Sequence, residues 1–401
     1  MFKKNFLFVS IVFILILVCC FFFFAKEKSK NTLTFWTIQL KPVAEKFIEK
    51  NIEIFKQKHK GVEVIWVDIP IAEAQKRILA SILGGNPPDL VNLNPDFSVI
   101  LAQKNALYFF EENDVVDFKK EIIDLLRYDG HIYGIPFYAT SSITILNTEC
   151  VKDYRKIKKY DDILTLNNKC QNNLSINLNE NDTFAKILNK YNVFSFKTQE
   201  ELNNAKAVFD MFKAMYENSL IPKDSLTINH REVVEKYMAG DTAVVVVGGN
   251  FVKMIEENAK NIYDKSVILP QLTGVNNYYD VSLMNFVIPK KAKNIELARE
   301  FLFQLTNEKN QIEFAKLTNV LAVNNNSLKD NFFVCDKKSS LIDSARCVGA
   351  MQLERLSGKN FGYQNKKEIN EILNGAIEEY LLQGTLNLND IKNKIQSLQE
   401  P

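Results

Sequence analysis

Histidine is scarce in this 401-residue chain: His59, His131 and His230 are the only three, and they lie far apart. No CxxC pair accompanies them, so the ligand spacing of a zinc site is missing and no metal is expected. Tryptophan is limited to Trp36 and Trp66, each inside an apolar stretch that reads as a strand. Charge of one sign is not in excess, with 50 basic against 48 acidic residues, which removes the case for nucleic acid as the main partner. The GxSxG, GxGxxG, P-loop and HExxH patterns are absent, so no catalytic or cofactor motif declares itself and no cofactor is expected. Nor is there an internal repeat.

What is present begins with length. A chain of 401 residues exceeds one hydrophobic core and implies about two domains. Its first segment stands apart from the fold. Lys3 and Lys4 precede an unbroken apolar run from Phe6 to Ala25, long enough to span a bilayer as a signal peptide or an uncleaved anchor. Leu17-Val18-Cys19-Cys20 loosely resembles a bacterial lipoprotein cleavage box with Cys20 as the lipidated residue. Phe21 to Phe24 follow where a lipoprotein turns polar, so the anchor reading is preferred. Cys150, Cys170, Cys335 and Cys347 form two sets close in sequence. An exported chain permits disulfides between them, but their pairing stays open.

From Leu33 the periodicity alternates between two and 3.6. LTFWT (33–37) is a strand; Pro42 opens a helix with Val43, Phe47, Ile48 and Phe55 on one stripe and Gly61 as its stop. VEVIWVD (62–68) is a second strand, 71–83 a helix, and DLVNL (89–93) a third strand after Gly84-Gly85-Asn86-Pro87-Pro88. Strand, helix, strand, helix, strand predicts a βαβαβ unit with a mostly parallel sheet. HIYGIPFYATSSITILN (131–147) has a proline at its entry and a long extended body, the form of a segment that carries the chain between domains. The stretch 150–196 is polar and Asn-rich, with weak helices and loops. Beyond it, 199–218 and 232–239 are helices, and TAVVVV (242–247) is apolar on both faces, as a central strand is. A helix over 251–259 completes a second α/β domain; an extended piece over 278–289, helices over 294–305 and 308–317, a short extended piece over 319–323 and a helical tail over 366–382 and 388–398 follow.

The order of these pieces resembles the extracellular solute-binding proteins of bacterial ABC importers, the class that takes up sugars and related solutes. The likeness is carried by LTFW (33–36), LASILGGNPPDL (79–90), GHIYGIP (130–136) with Asn147 eleven residues later, YMAGDTAV (237–244), Leu269-Pro270, and the helix pair containing ELAREFLFQLTNEKNQIEFAK within 295–321. It implies the two-lobe periplasmic-binding-protein fold of type II, an α/β architecture with three hinge crossings near Thr140, Ser282 and Val323. Residues 1–32 are then anchor and linker, 33–139 plus 283–322 the first lobe, and 140–282 plus 323–401 the second. It also implies no enzymatic activity, an ABC permease as partner, and location outside the cytoplasmic membrane. A ligand-sensing receptor of the same fold stays open, and so does an anchored glycoside-acting enzyme.

Solute in such a fold sits in the cleft, lined by the loops after strands and by helix N-termini. The expected contacts are Gln39, Asn94 and Asp96 in the first lobe, Tyr138, Thr140 and Ser141 at the crossing, and Gly249, Asn250 and Phe251 in the second lobe. Phe251 is the candidate stacking ring, and Gln39 and Asp96 are candidate hydroxyl partners. The shortage of tryptophan departs from a typical oligosaccharide binder and leaves monosaccharides, sugar phosphates and other polar solutes open.

Overall fold

The computed structural model describes residues 32–336, 339–356 and 365–399. The apolar run 6–25 and Cys20 lie outside the described residues. Among those described, no helix is long and apolar enough to cross a membrane.

The first lobe opens with β1 (Thr32–Ile38), whose alternating burial seats Leu33 and Phe35 in the core. Then follow α1 (Lys41–Lys58), β2 (Glu63–Ile69), α2 (Ile71–Leu83), β3 (Leu90–Leu93), α3 (Pro95–Gln103), the short α4 (Lys120–Asp124), and a two-stranded hairpin of β4 (Arg127–Tyr128) and β5 (His131–Ile132). β1 pairs in parallel with β2 and with β3, as the βαβαβ pattern predicts. A fan of phenylalanines fills the space under this sheet: Phe35, Phe55, Phe286 and Phe301 meet edge-on or tilted at 5.0–5.7 Å.

The molecule is organised around β6 (Ile135–Asn147). Its first half pairs antiparallel with β10 (Val281–Val287) through Ser141, and its second half pairs with β8 (Thr242–Gly248) from Ser142 onward. One thirteen-residue strand therefore serves two lobes and changes partners between two adjacent serines. The second lobe holds α5 (Asp161–Leu164), β7 (Asn172–Ser175), α6 (Thr183–Lys190), α7 (Gln199–Glu217), α8 (His230–Ala239), β8, α9 (Phe251–Asn258), α10 (Lys260–Tyr263) and β9 (Ser266–Pro270). The chain returns through β10, then α11 (Ile295–Thr306), α12 (Glu308–Thr318) and β11 (Leu321–Ala322), and it ends with α13 (Leu341–Gln352), α14 (Lys366–Gln383) and α15 (Leu388–Gln399).

The pairing is less parallel than the sequence pattern predicts. β10 runs antiparallel to both β3 and β6, β6 runs antiparallel to β8 and β9, and β7–β8 is the parallel pair of the second lobe. The cause is the crossings: β6 and β10 traverse the junction in opposite directions and so enter each sheet against its neighbours. The third crossing also lies later than Val323. Residues 324–330 still rest on the first lobe: Asn324 bridges Phe118, Ser327 Oγ donates to the Glu308 carbonyl at 3.0 Å, and Asp330 pairs with Lys316 at 3.1 Å. α13 then packs on β9 and β6, so the chain belongs to the second lobe from Leu341. Two disulfides, Cys150–Cys170 and Cys335–Cys347, settle the pairing that the sequence left open.

Buried amides tie the crossings together. Gln352 Nε2 donates to Ser141 Oγ at 2.6 Å and to the Ser142 carbonyl at 2.9 Å, while its Oε1 accepts from the Gln271 N–H at 2.7 Å. Ser141, Gln271 and Gln352 thus join β6, the 271–280 passage and α13, and all three are buried. Their partners are satisfied inside the protein, which fixes the hinge geometry without apolar packing.

Candidate functional site

Between the lobes lies a cavity of about 580 Å³. A second cavity of about 1160 Å³ adjoins it, and Asn94, Asp96, Asn181, Asp182, Lys366 and Asn370 line both. The cleft is therefore continuous past a boundary formed by those six side chains.

The first lobe contributes the carboxyl end of β3. That strand is buried throughout and ends at Leu93. Asn94 then caps α3, its Oδ1 accepting the Phe97 N–H at 2.9 Å, with Pro95 in the first turn. With the cap supplied by Asn94, the Asp96 carboxylate is left to face the cleft. The second lobe contributes α6. Asp182, Lys186 and Lys190 recur at intervals of four and share one face of it with Ala185, while Phe184, Ile187 and Leu188 are buried on the other. Lys366 opens α14, where a cation works against the helix dipole. The 271–280 passage contributes the exposed Tyr278, the buried Tyr279 and Asp280.

These charges are paired. Lys366 Nζ reaches Asp96 of the first lobe at 2.7 Å and Asp182 of the second at 3.2 Å, so one ammonium bridges the cleft. Lys186 pairs with Asp182 at 3.0 Å, and Lys190 pairs with Asp280 at 2.6 Å. Lys190 Nζ also donates to Gln271 Oε1 at 2.6 Å, which links the cavity wall to the hinge amides. Burial tends to raise the Asp182 carboxyl, but the Lys186 and Lys366 ammoniums outweigh it and hold it below the ordinary carboxylate value. Burial likewise opposes the shift at Asp280, and Lys190 and Lys186 together bring it down. Lys186 and Lys366 go the other way: burial disfavours their charge, and the facing aspartates more than compensate, raising both.

A pH dependence follows. Depressed carboxylates bind fewer protons in the folded than in the unfolded state, so their contribution is complete above about pH 5 and is lost as pH falls through the folded values. Melting temperature followed from pH 6 to pH 2.5 should fall progressively below about pH 4, and Asp280→Asn should flatten that acid limb. Parallel limbs for the two proteins would remove Asp280 from the account.

Polar but uncharged groups complete the wall. Asn181, Asn189, Asn276 and Asn370 offer amides, and Asn189 Oδ1 has no hydrogen-bond partner among the described residues. Tyr278 keeps its ring 51% exposed. Tyr138 lies half-buried against Phe137 and Phe314, and burial pushes its phenol up to about 12.

Of the residues expected from sequence, Asn94, Asp96, Tyr138 and Thr140 line the cavity. The others sit elsewhere for identifiable reasons. Gln39 adopts a left-handed φ of 50° in a turn whose neighbours are held by Asp68, which accepts from Thr37 Oγ1, the Leu40 N–H and the Lys41 N–H. Ser141 belongs to the hinge amides. Gly249 and Phe251 face α13: a Cβ on Gly249 would meet the Ala345 Cβ at 3.6 Å, and Phe251 packs in the cluster that holds Leu341, Ala345 and Val348, while Asn250 is exposed and lines neither cavity. Neither tryptophan lines a cavity; Trp66 Nε1 donates to Thr37 Oγ1 at 2.8 Å, within the first lobe. The residues missed were Asp182, Lys186, Lys190, Tyr278, Asp280 and Lys366. The four-residue spacing 182/186/190 was a readable signal, hidden in a stretch taken as loops and weak helices. Among the described residues no cluster of His, Cys, Asp and Glu fits a metal ion.

A cleft closed by an ion pair, with amides and one exposed ring on its walls, suits a small polar guest, and the comparisons agree. Residues 50–338 match the family model described as bacterial extracellular solute-binding protein. The fold superposes on a putative oligosaccharide periplasmic-binding protein from Synechococcus sp. MITs9220 with a TM-score of 0.80 and 20% identity, covering 91% of this chain and 97% of that one. It also superposes on the sugar-binding protein MalE from Xanthomonas citri (TM-score 0.74, 15% identity, 92% and 96% covered). A cyclo/maltodextrin-binding protein complexed with maltotetraose gives a TM-score of 0.71 at 17% identity, with 92% and 96% covered. No curated protein matches the sequence significantly. The family match spans most of the chain, and the protein accordingly belongs to the bacterial extracellular solute-binding proteins, the non-enzymatic solute-capturing components of ABC transporters.

Proposed function

We propose that the protein captures a sugar or closely related polyhydroxylated solute between its lobes and hands it to the membrane-embedded permease of an ABC importer. The observation that supports this most is the composition of the cavity wall: asparagine amides that both donate and accept, ion-paired carboxylates with spare lone pairs, and the exposed Tyr278 ring. Hydroxyl groups of a saccharide satisfy the first two, and its C–H face covers the ring. Structural neighbours whose descriptions name oligosaccharide or maltotetraose support the same class. The chain is held at the outer face of the membrane by the apolar segment 6–25 or by a lipid on Cys20, and its permease partner follows from the importer role.

The test is a thermal-shift screen of the chain from residue 32 onward against sugars, polyols and phosphosugars. A ligand that binds only the folded state raises stability by about 2.7 kcal/mol when present at a hundredfold excess over its Kd. A rise of several degrees with one saccharide class is the expected result. No rise with any of them, together with turnover of a glycoside, would replace this reading with an enzymatic one.

A further inference from the structure

The inference rests on the solute-binding reading and concerns charge. The cavity of about 580 Å³ is lined by three anionic side chains, Asp96, Asp182 and Asp280, and three cationic ones, Lys186, Lys190 and Lys366. Each takes part in an ion pair of 2.6–3.2 Å with another member of the set. Among the described residues the wall is therefore internally neutral, and every ammonium they place in it is paired with a carboxylate.

We propose that this cleft selects uncharged solutes, and that Asp96 and Lys366 are the residues that determine it. Lys366 sits on the boundary shared by both cavities and at the N-terminus of α14, where an anionic guest entering from either cavity meets it. Asp96 and Asp182 approach it from opposite lobes and take up two of its three donor directions. An incoming phosphate or carboxylate meets those two aspartates, and to reach Lys366 it must either sit against both negative charges or displace one and leave a partly buried carboxylate uncompensated. A hydroxyl group faces no such penalty, since it donates to the outer lone pairs of the same carboxylates without breaking a pair. Discrimination thus comes from repulsion built into the site as well as from attraction to the right guest. Because Asp96 comes from the first lobe and Lys366 from the second, the same pair that rejects an anion also draws the lobes together, so selection and closure are coupled.

The probe is inorganic phosphate, titrated calorimetrically into the chain from residue 32 onward. Wild type should show no saturable binding. Asp96→Asn keeps the shape of the side chain, removes one negative charge and frees Lys366, and it should bind one phosphate saturably, at least about tenfold more tightly than the weakest binding the titration detects. The double variant Asp96→Asn/Lys366→Met should lose that binding. From the opposite side, Lys366→Met leaves Asp96 and Asp182 without their bridge, and it should improve binding of glucosamine relative to glucose, again by about tenfold. Phosphate binding by wild type as tight as by Asp96→Asn, no gain in Asp96→Asn, or retention in the double variant would each overturn the proposal. The phosphate arms do not depend on which sugar is the natural ligand. A failed sugar screen therefore counts against the proposed function, while a failed phosphate series counts against the charge selection alone.

Discussion

Lys190→Met should lower the stability of the unliganded protein by about 3 kcal/mol, measured by denaturant unfolding. The side chain is 7% exposed, and its ammonium holds both the Asp280 carboxylate and Gln271 Oε1 at 2.6 Å. Methionine preserves most of the length but removes the charge and both donors. Breaking one side of a buried pair is costly because the remaining charge has no partner, and values of about 3–5 kcal/mol are typical. The Asp280 side chain is 30% exposed toward the cleft, so water recovers part of its solvation and the lower end of that range applies. Lys186 stands close enough to act on Asp280 as well, which further limits the loss. The double variant Lys190→Met/Asp280→Asn should regain most of the stability, since it removes the stranded charge together with its cause. A single variant within about 0.5 kcal/mol of wild type would show that the pair is only a surface contact. The effect should also reach the hinge: Gln271 links Lys190 to Gln352, whose amide holds the partner exchange of β6 at Ser141 and Ser142.

Much of the architecture was legible because it is written in local periodicity. The helix over 71–83 matches its predicted bounds, since Ala74, Ile78 and Ile82 mark one face and Gly84 ends it. TAVVVV sits between β6 and β7, where a strand apolar on both faces belongs. The crossing strand was readable from Pro136 and the extended body that follows. Less legible were elements whose signal is tertiary. α6 lies in a polar, Asn-rich stretch, and β7 (NNLS) is buried despite two asparagines, because Asn172 Nδ2 reaches the Ser219 carbonyl at 2.8 Å and Asn173 Nδ2 the Leu166 carbonyl at 3.1 Å. α13 was missed altogether, and with it the cover over the turn after β8. That omission is what moved the expected stacking ring to Phe251. Nothing in the local sequence at 249–251 indicates that a helix nearly a hundred residues later will occupy the space in front of it. The ion-pair cluster was hidden for the same reason: Asp96, Asp182, Asp280 and Lys366 come from four separate segments, and only the fold brings them together.

Tyr278→Ala should weaken solute binding about 5- to 10-fold while leaving the unliganded protein almost unchanged. The ring lines the cavity and is 51% exposed, so it contributes little to folding. Surface truncations of this kind usually change stability by no more than about 0.5 kcal/mol. In the complex the ring is covered by the guest. Full burial of an aromatic side chain is worth about 2–3 kcal/mol; the guest covers the half still exposed, so about 1–1.5 kcal/mol is lost, which corresponds to the stated change in affinity. Tyr278→Phe should retain most of the binding, because the contact rests on the ring face. Phe251→Ala provides the contrast: its ring packs in the cluster beneath α13, so its replacement should lower the melting temperature of the empty protein and leave affinity within a few-fold. Calorimetric titration of each variant with the solute found by thermal shift, alongside melting of the empty proteins, separates the two patterns. If Phe251→Ala loses affinity at unchanged stability and Tyr278→Ala does not, the guest lies on the α9 side of the second lobe, and the cavity beside Lys366 is not its seat.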